Sequence, residues 1–185
     1  MLLTIEWAAA AFGLWGVFLG FRQRRETWLA WLASSLIYLL LTWHWALYGQ
    51  SMVMLAFSLT AVWGYRQWSQ SQRLEVVRPT VRFVWGSLLV GAGLAWVLAE
   101  ALAAIGGAAA LLDSVVAAGS LLAMVWTARR HRACWGIWLA VNLLSAWLYA
   151  GQGAWPTVLL YLVQAGLSVA GFARWTAHAR VQEAS

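Results

Sequence analysis

The chain contains no lysine, a single cysteine and few charges of either sign. Without lysine there is no retinal Schiff base, which removes the seven-helix photoreceptors. Cys134 alone supports neither an internal disulfide framework nor a multi-cysteine metal site. His44, His131 and His178 are scattered without the spacing of metal ligands, so no metal or cofactor is expected. Charged residues make up 10% of the 185, against about a quarter in soluble domains, while hydrophobic residues reach 63%. Such a chain belongs in a bilayer. The net charge of +6 is twelve arginines less six acids, with the arginines gathered at the ends of apolar runs and in the short segments between them. The basic face that nucleic acid requires is missing.

Seven apolar segments follow one another, each near the ~20 residues that cross the hydrocarbon. They run over about Leu2–Phe21, Thr27–Ala46, Met52–Trp68, Val81–Ala101, Gly107–Thr127, Cys134–Ala150 and Ala154–Trp175. In the first segment the positive charges follow the apolar run, the reverse of a cleaved signal peptide. Arg22, Arg24 and Arg25 follow segment one, and Arg66, Arg73, Arg78 and Arg82 surround the link from three to four. Arg129, Arg130 and Arg132 separate five from six, and Arg174 and Arg180 follow seven. Seven crossings put all twelve on one side, which the positive-inside rule assigns to the cytoplasm, with the N-terminus outside. Glu6, Glu100 and Asp113 then sit at outer ends, and Glu26, Glu75 and Glu183 at or beyond inner ends. No acid stands at the midplane, where a proton or sodium relay needs one. Intramembrane enzyme chemistry lacks its acid/base pair for the same reason.

The sequence repeats itself. Arg22, Arg25, Trp28, Trp31, Leu32, Ala33 and Leu36 recur 107 positions later as Arg129, Arg132, Trp135, Trp138, Leu139, Ala140 and Leu143. The same offset carries Gly64 and Trp68 onto Gly171 and Trp175, and Glu6 onto Asp113. The fold expected is an all-α membrane protein, seven transmembrane helices in a 3+1+3 parallel repeat, its two units pointing the same way across the membrane. Residues 1–68 form the first three-helix repeat, 69–106 a linker loop and linker helix, and 107–185 the second repeat with a short tail. Pro79 marks the break before segment four.

Asn142, the one asparagine, lies about ten residues beyond Arg132, roughly 15 Å deep at ~1.5 Å per residue. Gln164 reaches a similar depth from the other side, and the repeat mate of Asn142 is Ser35. A midplane site between two repeats is where carriers hold their substrate; the alternative is that Asn142 and Gln164 bond each other or a neighbouring backbone as interhelical glue. Trp31 and Trp138 are a turn deeper than Trp28, Trp135 and Trp175, which lie close enough to the arginines to be interfacial belt. Aromatic faces beside polar groups suit a flat heteroaromatic or cationic ring. Trp43, Trp45, Tyr48 and Trp155 fall at the outer ends as belt, whereas Tyr38, Trp63, Tyr149 and Tyr161 are further candidates to line a site. The Gly13-x-x-Gly16-x-x-x-Gly20 run is a small-residue packing feature, and self-association stays open.

The pattern Trp135-x-x-Trp138-x-x-x-Asn142 resembles the motif of the PnuC family of vitamin transporters. Trp63-Gly64-Tyr65-Arg66-Gln67-Trp68 is similar to that family's signature at the end of its third segment, and Glu6, Tyr48-Gly49 and Gly171-x-x-x-Trp175 fit as well. The resemblance implies a SWEET-like fold and facilitated diffusion of nicotinamide riboside, with thiamine or riboflavin in related branches, across the bacterial inner membrane. It also implies substrate contacts at Trp135, Trp138 and Asn142. With Gln164, Trp31, Ser35, Tyr38 and Tyr161 these make the candidate substrate-binding set. Thiamine carriage and a non-transporting assembly or sensor subunit are the alternatives.

Overall fold

A computed structural model describes residues 2–44, 48–70, 75–104, 110–151 and 155–184. Trp45, Arg73 and the 106/107 boundary lie outside the described residues, as do the side chains of Tyr48 and Glu183. Seven helices and no sheet are found among them: α1 (Leu2–Phe21), α2 (Glu26–His44), α3 (Tyr48–Ser69), α4 (Val81–Ala104), α5 (Ala110–Ala128), α6 (Cys134–Gly151) and α7 (Trp155–Ala184). Most ends fall within a few residues of the hydropathy boundaries. α7 overshoots its expected end at Trp175 because Ala177, Ala179, Arg180 and Gln182 are good helix formers and no proline or glycine intervenes. α4 starts where Pro79 forces an extended backbone and the Thr80 hydroxyl caps the helix by accepting from Phe83 N at 3.3 Å.

Among the described residues five helices are long and apolar enough to cross a membrane: α1, α4, α5, α6 and α7. α2 and α3 fall short because Ser, Thr, Gln, Tyr and Trp are spread along them. α2 packs between α1 and α3, and α6 between α5 and α7. Contacts of α1 with α7 and of α3 with α5 close these six helices into one bundle, while α4 rests on α5 and buries no residue.

The turn from α1 to α2 and the turn from α5 to α6 share their hydrogen bonds. Arg24 N donates to Leu19 O as His131 N does to Trp126 O, and Thr27 N donates to Arg24 O as Cys134 N does to His131 O. Trp28 N donates to Arg25 O as Trp135 N does to Arg132 O. Gln23 (φ 56°) and Arg130 (φ 60°), 107 residues apart, both take the left-handed conformation that terminates a helix.

Side-chain packing follows the same offset. The ring of Trp28 covers Gly64 and that of Trp135 covers Gly171, with no room for a Cβ at either glycine. Trp28 meets Trp68 edge-on at 5.6 Å and 85°, and Trp135 meets Trp175 at 5.6 Å and 87°. Trp28, Trp135 and Trp175 are therefore core residues, all but inaccessible, and the belt reading of these three is corrected. An indole can serve a lipid interface or a helix crossing, and a glycine on the neighbouring helix decides which. Trp43 and Trp155 are exposed, as belt residues are.

Candidate functional site

The spacing of one helix stripe builds the site. On α2 the residues Trp31, Ser35, Tyr38 and Thr42 advance by four, three and four positions, which keeps them on one face. Their counterparts on α6, at the common offset of 107, are Trp138, Asn142, Ser145 and Tyr149. The two stripes face each other across the bundle, and between them lies a cavity of about 230 Å³. Every helix except α4 contributes to its wall.

Seven of the eight residues singled out above line this cavity: Trp31, Ser35, Tyr38, Trp138, Asn142, Tyr161 and Gln164. Trp135 does not. At 100° per residue it lies about 60° around α6 from Trp138, enough to turn it onto Gly171 and Trp175 instead. Trp63 packs against the tryptophan cluster, and Tyr149 stands behind the wall, stacked on Tyr161 at 5.6 Å and 15°. The sequence reading missed Ser34, Ser120, Ser145, Met54, Phe57 and Met124, which complete much of the wall. For Ser145 a signal existed, since it is the repeat mate of Tyr38.

The end of the cavity nearest the arginine-bearing turns is aromatic. Trp31 and Trp138 meet there with ring centroids 5.8 Å apart and planes at 49°. Trp31 is seated on Gly16, which leaves no room for a Cβ, and stands edge-on to Trp28 at 5.3 Å. Trp138 is oriented by its indole N–H, which donates to Thr127 Oγ1 at 3.2 Å. Each ring is thus fixed from its own half of the bundle.

Above this floor uncharged polar groups stand among apolar side chains such as Met54, Phe57 and Met124. Asn142 Nδ2 donates to Ser168 Oγ at 3.4 Å, and Ser168 Oγ donates to the main-chain carbonyl of Gln164 at 2.9 Å. Asn142 and Gln164 are therefore linked through Ser168, not side chain to side chain. The counterpart in the first half is Ser35 with Ser58, Oγ to Oγ at 2.9 Å. Ser34 donates to Ala9 O at 2.8 Å and Ser120 to Val116 O at 2.8 Å. No Asp, Glu, His or Arg contributes to the lining. Among the described residues no group of His, Cys, Asp and Glu could hold a metal ion. Ring faces beside amides and hydroxyls can bind a flat polar molecule, and no carboxylate or imidazole stands among the lining residues to activate a hydroxyl.

A second hollow of about 420 Å³ lies between α4 and α5, lined almost entirely by aliphatic side chains. It is larger but lacks converging polar groups, so the central cavity is the better binding site.

At the arginine-bearing end the segment before α4 is tied to the second half of the chain. Val77 N donates to Arg130 O at 3.1 Å, His131 Nδ1 lies 3.2 Å from Val77 O, and Gln182 Oε1 accepts from Val76 N at 3.1 Å. His131 also packs on Phe83 at 4.8 Å, a ring that Arg129 covers from 4.8 Å. Burial pushes the imidazole below its ordinary value, the contact with the Val77 carbonyl works against this, and the Arg129 charge adds to the lowering.

Comparison with known proteins gives a consistent result. The family model described as nicotinamide mononucleotide transporter matches residues 3–177. A nicotinamide riboside transporter, PnuC, of Neisseria mucosa is 27% identical over 194 residues, covering 92% of this chain and 72% of that protein. The crystal structure of the vitamin B3 transporter PnuC superposes with a TM-score of 0.77 at 25% identity, covering 95% of this chain and 82% of the other.

Proposed function

This chain belongs to the nicotinamide mononucleotide transporter family, and from that membership we propose that it carries nicotinamide riboside, or a close vitamin relative, by facilitated diffusion across a bacterial inner membrane. It is a multi-pass membrane transporter and not an enzyme. The observation that carries the substrate reading is the uncharged cavity with the Trp31–Trp138 floor and the Asn142 and Gln164 amides above it. A pyridinium ring is flat and cationic, so it gains from indole faces, and its carboxamide matches amide donors and acceptors. Trp31, Trp138, Asn142, Gln164, Ser35, Tyr38 and Tyr161 are the residues assigned to substrate; Trp135 shapes the wall from behind.

We read the chain as two three-helix units joined by α4. The turns, tryptophan pairs and glycine seats recurring at 107 residues support that division. The tie between Val77 and the His131 turn, together with the packing of α4 on α5 alone, attaches the linker helix to the second unit. Rocking of one unit against the other would open the cavity alternately to each side. The cytoplasmic side would be the end that carries the arginines. Because the lining has no carboxylate or histidine, uncoupled movement down a gradient is favoured. A non-transporting scaffold would have Asn142 and Gln164 bonded to each other with no space between them. Here there is a cavity, and the two are linked through Ser168.

Counterflow of labelled nicotinamide riboside into proteoliposomes, without any ion gradient, tests the proposal. Exchange that is competed by unlabelled riboside is expected. Exchange of thiamine or riboflavin alone would reassign the substrate, and uptake only under a proton or sodium gradient would refute uncoupled diffusion.

A further inference from the structure

The hollow between α4 and α5 is separate from the central cavity, and two helix stripes set its shape. On α4, Phe83, Gly86, Val90 and Leu94 advance by three or four positions along one face. On α5, Ala118, Leu122 and Val125 do the same. Glycine keeps the trough open, since a Cβ on Gly86 would meet nothing within 4 Å. The polar side chains in its wall are already satisfied. Thr60 donates to Ala56 O at 2.7 Å, and Ser87 donates to Val84 O at 3.0 Å while accepting from Trp126 Nε1 at 3.1 Å. What remains for an occupant is hydrocarbon surface, and α4 itself buries no residue.

The arginine-bearing end of this trough is charged. Arg82 stands one turn before Gly86 on the α4 stripe, and Arg129 one turn beyond Val125 on the α5 stripe. The Arg129 guanidinium lies 4.8 Å from the centroid of the Phe83 ring, which itself lines the hollow. Both arginines are exposed, and neither forms an ion pair among the described residues. From Phe83 to Leu94 the helix rises about 16 Å at ~1.5 Å per residue. One leaflet of a ~30 Å hydrocarbon core is about 15 Å deep.

We propose that this hollow seats one acyl chain of an anionic phospholipid from the leaflet at the arginine-bearing end, with the phosphate between Arg82 and Arg129. An apolar trough of one leaflet's depth, capped by two cations, matches a molecule that is hydrocarbon at one end and anionic at the other. Guanidinium groups bind phosphate oxygens through paired, charge-assisted hydrogen bonds. A zwitterionic lipid fills the same trough, but its own ammonium offsets the attraction. A second copy of the chain, inserted the same way, would set its own arginine-bearing end against these two, cation against cation. Thr60 reaches the hollow from α3, so the acyl chain touches the first half of the bundle as well as α4 and α5. The inference goes beyond the transport reading and needs only the membrane setting.

The test is native mass spectrometry of delipidated full-length protein in detergent, titrated with phosphatidylglycerol or with phosphatidylcholine of the same acyl chains. Phosphatidylglycerol should bind about tenfold more tightly, since each arginine beside an anionic headgroup adds to lipid affinity. The double variant Arg82→Gln, Arg129→Gln should lose that preference, whereas Arg180→Gln, on the tail of α7, should keep it. Gly86→Leu fills the trough and should weaken both lipids severalfold. Equal binding of the two lipids by the wild type means an unselective lipid annulus and overturns the proposal. A preference that survives loss of both arginines overturns it as well, by placing the headgroup elsewhere. Unchanged lipid binding in Gly86→Leu removes the acyl chain from the hollow, and if that variant also dissociates an oligomer of the wild type, the occupant is a second copy.

Discussion

Trp68 and Trp175 face each other across the bundle with ring centroids 6.1 Å apart, and each donates its indole N–H into the opposite half. Trp68 Nε1 donates to Ala128 O at 3.1 Å and Trp175 Nε1 to Gly20 O at 3.3 Å. The two acceptors close the ends of α5 and α1, where helix carbonyls lack partners within the helix. These residues, 107 positions apart, therefore bind the two halves to each other beside the arginine-bearing turns. With Trp28 and Trp135 packed edge-on outside them, they form a rigid base beneath the cavity. Edge-to-face aromatic pairs add about 0.5–1.5 kcal/mol each beyond contact area, and such packing matters more in lipid, where burial from water no longer drives helix association.

That base depends on glycine. A Cβ at Gly64 would come within 2.5 Å of the Trp28 ring, and one at Gly171 within 2.5 Å of the Trp135 ring. Gly64→Ala and Gly171→Ala should each destabilise the fold by about 1–3 kcal/mol through overpacking, less the ~0.5–1 kcal/mol that alanine gains in a helix. Gly136→Ala, where nothing lies within 4 Å, should be neutral or slightly stabilising. Thermal unfolding in detergent separates the three.

Trp135 and Trp138 are three residues apart and should fail differently. Trp135→Leu opens a void in the buried base and should lower thermal stability by about 2–4 kcal/mol, leaving the ligand affinity of the folded fraction within a few-fold. Trp138→Leu removes a cavity wall and the bond to Thr127. It should weaken riboside binding by about tenfold or more, as loss of a stacking or cation–π face does, with a smaller effect on folding. Unfolding and binding measured on the same preparations check both.

His131 gives a pH dependence to the tie between Val77 and the turn from α5 to α6. Its folded value lies below the ordinary 6.5, so the neutral ring is the form the fold favours. Its contribution is complete above pH 6.5 and is lost as the pH falls toward the folded value, since charging the buried ring beside Arg129 is unfavourable. The melting temperature of the wild type should drop between pH 7 and pH 5 more than that of His131→Gln. Parallel curves would remove His131 from the explanation.

Much of this architecture is legible in the sequence. Seven apolar runs, arginines on alternate links and tryptophans at a fixed offset are periodic signals, and periodicity survives in one dimension. The destination of each tryptophan is not. The family motif puts Trp135 with Trp138 at the substrate, but the 60° between them on a helix suffices to send one to Gly171 and the other to the cavity. The shortfall of α2 and α3 in apolar character has a similar origin. Ser34, Ser35 and Tyr38 look inward at the site, and Thr42, Ser51 and Ser58 bond within the bundle, which a single-helix hydropathy profile does not distinguish from exposure to water. Ser145 was overlooked because a serine among leucines carries no signal alone; only comparison with Tyr38 at the same repeat position reveals it.

The central claim is that the cavity between the two halves is the substrate site and that Asn142 reads the substrate's polar edge. Asn142 is buried and uses one amide proton on Ser168, so Asn142→Leu leaves a protein whose fold loses one long hydrogen bond. Calorimetric titration of nicotinamide riboside into wild type and Asn142→Leu is the most direct measurement. The expected result is saturable binding to the wild type and none to a variant that melts within a few degrees of it. Unchanged affinity in a well-folded Asn142→Leu would contradict the assignment.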